Sequence, residues 1–83
     1  MKLQEAYRIL EAMTPPTVSR EAAEDSLKAG VPEGAVLALI EDAMTERELT
    51  WQMLEFARNL DLSSPYELLL DLVEADFRDN SVA

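Results

Sequence analysis

The sequence predicts an all-α fold, a small four- to five-helix bundle with short connecting turns. Three observations lead there. Apolar residues recur every three to four positions in segment after segment, which is the spacing of one helix face. No stretch alternates apolar and polar residues as a half-buried strand does. The two glycines and four prolines gather around the junctions between periodic segments, as short helix–helix turns require. With 83 residues, 48% of them apolar, the chain is expected to form a single acidic helical domain over residues 1–83, with 79–83 fraying.

The first helix is expected over residues 2–13. Leu3, Ala6, Tyr7, Leu10 and Met13 share one side, and Gln4, Glu5, Arg8 and Glu11 lie opposite. Thr14-Pro15-Pro16-Thr17 ends it, because a residue before proline is pushed out of the helical region. Ser19 is then expected to cap a weaker helix running to Ala29. Val18 and Ala23 form a staple across its start, and Gly30 suits its C-terminal turn. Leu27 is its only large apolar residue, so tertiary contacts must hold it.

Val31-Pro32 opens a third helix to about Met44, with Val36, Leu37, Ile40, Ala43 and Met44 facing inward. Thr45-Glu46-Arg47-Glu48 reads as a capping box that starts a fourth helix to about Leu60, although the third and fourth could also merge into one bent helix. Ser64-Pro65-Tyr66-Glu67 repeats the pattern, with proline at the first helical position, and begins a fifth helix to about Arg78.

Two helices carry more apolar surface than one face needs. On the fourth, Leu49, Met53, Phe56, Ala57 and Leu60 fall within an arc of about 100° and make a sufficient core stripe. Trp51 falls outside it, on a ridge formed by Arg47, Trp51, Leu54 and Arg58 with Glu55 beside it. Tryptophan and arginine are enriched at binding hot spots, so this ridge is a candidate partner-binding surface. The alternative is that another helix of the same domain covers the ring. On the fifth helix, Tyr66, Leu69, Leu70, Val73 and Phe77 form one stripe. Leu68, Leu72 and Ala75 widen it to an arc of roughly 220°, more than an amphipathic surface helix needs. Either this helix is central, wrapped by the other four, or its outer flank meets a second chain in a symmetric dimer.

Charge narrows the function further. Seventeen acids against seven bases give a net charge of −10. Residues 1–30 hold five acids and four bases, and residues 31–83 hold twelve acids and three bases, so the imbalance is C-terminal. Affinity for nucleic acid comes largely from Lys and Arg displacing counterions, so direct binding to nucleic acid or to an anionic membrane is not expected. A protein with a basic surface is the expected partner. Glu41, Asp42, Glu67, Asp71 and Glu74 are the candidate acidic surface.

The side-chain inventory limits chemistry. Without cysteine or histidine there is no disulfide framework, thiol nucleophile, zinc thiolate site or imidazole base. The paired carboxylates lie on faces expected to be solvated, with nothing to shift one pKa. The loop after Asp61 lacks the glycine and spaced oxygen ligands of a calcium loop. Thr17 to Glu24 resembles the entry to a helix-turn-helix, but the helix that follows carries no base to reach phosphates. No catalytic residue, metal or cofactor is therefore expected. No apolar run has membrane length and MKLQEAYRIL is periodic rather than a signal peptide, so a cytoplasmic address is expected.

Asp25-Ser26-Leu27 resembles the Asp-Ser-Leu tripeptide of acyl carrier proteins, small acidic helical domains. That resemblance implies Ser26 as an attachment point for a phosphopantetheine arm. It covers three residues of 83. In that family the serine opens a long helix, whereas Gly30 and Pro32 stop this one within a few residues. The function expected from all this is a non-catalytic acidic protein-binding module of inhibitor, immunity or regulatory adaptor type. The alternative is an oligomerising subunit that dimerises through the C-terminal helix.

Overall fold

The computed structural model describes residues 2–81. Those residues form five α-helices and no strand: α1 (Leu3–Ala12), α2 (Glu21–Lys28), α3 (Pro32–Thr45), α4 (Trp51–Arg58) and α5 (Tyr66–Ser81). The all-α expectation is met.

The hub is α3. Ala35, Val36, Leu37, Leu39, Ile40 and Ala43 are all buried, and they point to several sides of the helix. A helix that is apolar all round belongs inside, and each of the other four helices packs on this one. The expectation that α5 could be the wrapped helix is therefore corrected. The molecule is 18 Å through its thinnest direction, room for about two layers of helices that are roughly 10 Å across. One helix can be enclosed on most sides, and the run Val36-Leu37-Ala38-Leu39-Ile40 takes that place.

Local chemistry sets the ends. At Gly30 (φ +82°), the N–H groups of Gly30 and Val31 donate back to the carbonyls of Leu27 and Ser26, the paired bonds of a Schellman turn. Arg47 (φ +59°) makes the same turn after α3, its N–H and that of Glu48 donating to Met44 and Ala43. This overturns the expected capping box. Thr45 is the last residue of α3, its hydroxyl donating to the Glu41 carbonyl at 3.0 Å. The cap of α4 is Thr50, whose oxygen accepts from the Met53 N–H at 3.1 Å. Helix α4 is accordingly only eight residues long.

Two further boundaries differ. Ser19 still accepts a hydrogen bond from the Glu21 N–H, but Arg20 holds the cap position of α2. The Ser64–Pro65 peptide bond is cis, Pro65 directly precedes α5, and the Ser64 capping box does not form. The last helix continues through Asp79 to Ser81 instead of fraying at 79; the rest of the expected tail, 82–83, lies outside the described residues.

The N-terminal end is tied by two polar clusters. The Tyr7 hydroxyl donates to Glu24 at 3.1 Å, and Arg8 reaches the same carboxylate at 2.7 Å, joining α1 to α2. The Arg20 guanidinium donates to the carbonyls of Glu11, Thr14, Pro15 and Val18 at 2.6–3.2 Å. It thus adds a side-chain donor to carbonyl groups at the end of α1 and in the Pro15-Pro16 turn, of which Glu11 and Pro15 also accept a backbone N–H, from Thr14 and Val18. At the other end, Glu33 accepts from the backbone N–H and hydroxyl of Ser63, holding the α4–α5 turn against the start of α3.

Candidate functional site

Helix α5 settles where the surplus apolar surface lies. Leu70 is buried, and Tyr66, Val73 and Phe77 are half-buried against the core. These residues recur at three- and four-residue spacing, so they use one face. Leu68 and Leu72 remain 56% and 67% exposed, and Leu69 38%. Ala75 is exposed on the same flank. Leu68, Leu72 and Ala75 follow one another at four and three residues, forming a continuous outer ridge. Below it, between α3 and α5, runs a shallow depression of about 390 Å³ lined by Met44, Leu69, Leu72 and Val73, with Glu41 and Asp76 on its two sides.

The ridge expected on α4 does not assemble. Arg47 stands outside the helix in the turn after α3. Leu54 is 1% exposed and belongs to the core, completing a buried set with Met53 and Ala57. The expectation that Leu54 flanks an exposed anchor is corrected: Met53 and Ala57 of the expected stripe are buried, and the buried face of α4 is wide enough to take in Leu54 beside them. Trp51 stays on the surface at 45% exposure, but its ring is not bare. Phe77 meets it edge-on at 4.9 Å between centroids, and the Arg78 guanidinium lies over it at 5.0 Å. Arg58 and exposed Glu55 line a small depression beside it. Trp51 is a lid joining α4 to the end of α5, on the flank opposite Leu72.

The acidic surface divides the same way. Asp71 pairs with Arg58, and Glu74 bridges Arg58 at 3.2 Å and Arg78 at 3.0 Å, so these two acids are bound within the protein. The hydrogen bond to Asp71 holds the Arg58 guanidinium above its ordinary pKa, so it remains a cation throughout the working range. Glu41 and Glu67 are exposed and make no ion pair, and Asp42 is half-buried. Asp76 and Asp79 are exposed and form no salt bridge among the described residues.

Among the described residues no group of three acidic, histidine or cysteine side chains could share a metal ion, and no buried side-chain nitrogen or oxygen lacks a hydrogen-bond partner. No helix among them is long and apolar enough to cross a membrane. Ser26 is half-buried inside α2, its hydroxyl turned toward Gly34 of α3, which leaves little room for a swinging arm. Comparison of the chain with protein-family models, with curated proteins and with solved structures gives no match.

Proposed function

We propose that this protein is a non-catalytic binding module, an acidic adaptor or inhibitor that acts by seating the outer flank of α5 on a partner protein. The observation that carries the reading is the pair of neighbouring leucines, Leu68 and Leu72, left more than half exposed on one ridge. Scattered surface leucines are ordinary, but a ridge continuous with Leu69 and Ala75 is a patch of the kind that marks an interaction site. The anchor is thus Leu68 and Leu72 rather than Trp51, whose faces are already engaged by Phe77 and Arg78. Small acidic helical inhibitors and immunity-type proteins share this outline of size, charge and helicity; the parallel is one of outline only.

A quantitative pull-down from the native host, comparing the wild type with Leu68→Glu/Leu72→Glu, tests the reading. Loss of a captured protein by a variant that melts like the wild type supports it. Identical capture by both proteins would falsify it. A second reading, homodimerisation through α5, rests on the same leucines. Light scattering on a size-exclusion column separates the two, because a stable monomer removes the dimer.

A further inference from the structure

We infer that the groove between α3 and α5 receives a cationic amphipathic helix of another protein, its apolar anchors seated on Leu69, Leu72 and Val73 and its Lys or Arg side chains meeting Glu41 and Asp76. This names the class of partner for the contact surface proposed above and rests on that reading. Shape carries the first half of the argument. Met44 and Val73 floor the groove, and Leu69 and Leu72 stand three residues apart along one wall. A helix laid in such a groove presents residues at three- and four-residue spacing to it.

Charge selects the occupant. Helix α5 has two flanks that are treated differently. On the α4 side, Asp71 and Glu74 are neutralised by Arg58 and Arg78. On the α3 side, Glu41 and Asp76 are exposed and form no salt bridge among the described residues. Residues 31–83 hold only three bases, and two of them are engaged on the opposite flank. The third, Arg47, lines the next depression beyond Thr45 together with Leu49, Phe77 and Asp76, but forms no salt bridge with Asp76. A second copy of this chain would press the same uncompensated carboxylates together, so a homodimer on this face is electrostatically disfavoured. A neutral apolar helix would desolvate Glu41 and Asp76 without pairing them. A cationic one satisfies both requirements, and the surplus of acids draws it in from a distance.

The test uses the full chain and three synthetic peptides of about 18 residues, roughly five helical turns. One is an amphipathic helix with leucines on one face and lysines on its flanks. The second replaces each lysine by glutamate, and the third scrambles the first. Amide shifts of the labelled protein map the contact, and fluorescence anisotropy gives Kd at low and high salt. The expected result is binding of the first peptide, with shifts on the C-terminal half of α3 and the outer side of α5 but not on α1 or α2. Leu69→Ser/Leu72→Ser should weaken that binding by about tenfold or more. Glu41→Gln/Asp76→Asn, which touches no buried group, should weaken it several-fold and reduce its salt dependence. Equal binding of the scrambled or charge-reversed peptide overturns the proposal, as do shifts that map elsewhere or a dimer through α5 that the peptide leaves intact. Failure of the first peptide overturns the partner class. If Leu68→Glu/Leu72→Glu still abolishes capture from the host, the contact surface stands; if capture is unaffected, both fall.

Discussion

At the N-terminal end, charge is turned inward: Arg8 and Tyr7 share Glu24, and Arg20 collects four carbonyls at the end of α1. At the C-terminal end, α5 shows the reverse, with Leu68 and Leu72 in solvent and Asp76 and Asp79 exposed and in no salt bridge among the described residues. The first region has the character of a scaffold, in which polar groups help hold α2, a helix with one large apolar residue. The second keeps only one face for the fold. On the proposed reading stability belongs to α1–α3 and partner binding to α5, and mutations can separate the two.

The largest loss is expected in the hub. Leu39→Ala or Ile40→Ala removes a side chain with no exposure and should cost about 2–5 kcal/mol, read from denaturant midpoints. A loss below about 1 kcal/mol would mean that α3 is not the enclosed helix. Next comes Arg20→Ala, which strands the Thr14 and Val18 carbonyls and should cost about 2 kcal/mol. Arg20→Lys should recover little, since a single ammonium cannot reproduce the fork of the guanidinium. Trp51→Ala should cost roughly 1–2 kcal/mol, the combined scale of an edge-on aromatic pair and a cation–π contact. A loss in the range of about 3–5 kcal/mol would put the ring in the core instead.

The N-terminal cluster also predicts two limbs of pH dependence. The Arg8 hydrogen bond, aided by that from Tyr7, holds the Glu24 carboxyl below its ordinary value. A depressed carboxylate stabilises the fold above the unfolded value, about 4.3, and that contribution fades as pH falls below it. Burial and the Glu24 hydrogen bond hold the Tyr7 phenol above its ordinary range. Its contribution is complete below about pH 10 and is lost as pH rises beyond it. Melting temperatures across pH should therefore lose the part of the acid slope below 4.3 that Glu24 supplies in Glu24→Gln, and part of the alkaline slope in Tyr7→Phe. Unchanged slopes would show that the cluster does not hold α1 to α2. The smallest effect belongs to the recognition flank: Leu72→Ala should change stability by no more than about 0.5 kcal/mol. A larger loss would bring α5 into line with the scaffold and remove the contrast.

Much of the fold was legible from local chemistry. The all-α class, the five segments, the Gly30 turn and the Val18–Ala23 pairing over the start of α2 all follow from period and turn residues. The junction after α3 was not, because Thr45 and Thr50 both head plausible helix starts, and only the turn at Arg47 chooses between them. That choice takes Arg47 off the helix, while the packing of α4 against α1, α3 and α5 makes Leu54 core. The candidate surface was half legible. The 220° arc on α5 announced surplus apolar area, but whether that area was enclosed depended on which helix lay at the centre. Arg20 left no mark in the sequence, since its partners are backbone carbonyls brought near only by the fold.

By itself the sequence determined the helices, their acidity and an excess of apolar surface, because each of these is set by residue type and spacing along a few turns. Tertiary structure decided the allocation: α3 inside, Trp51 partly covered by α5, Leu68 and Leu72 left outside, and Arg58 and Arg78 engaged on one flank of the last helix. A bundle about two helices thick can enclose only one of them, and spacing within a segment carries no information on which it will be.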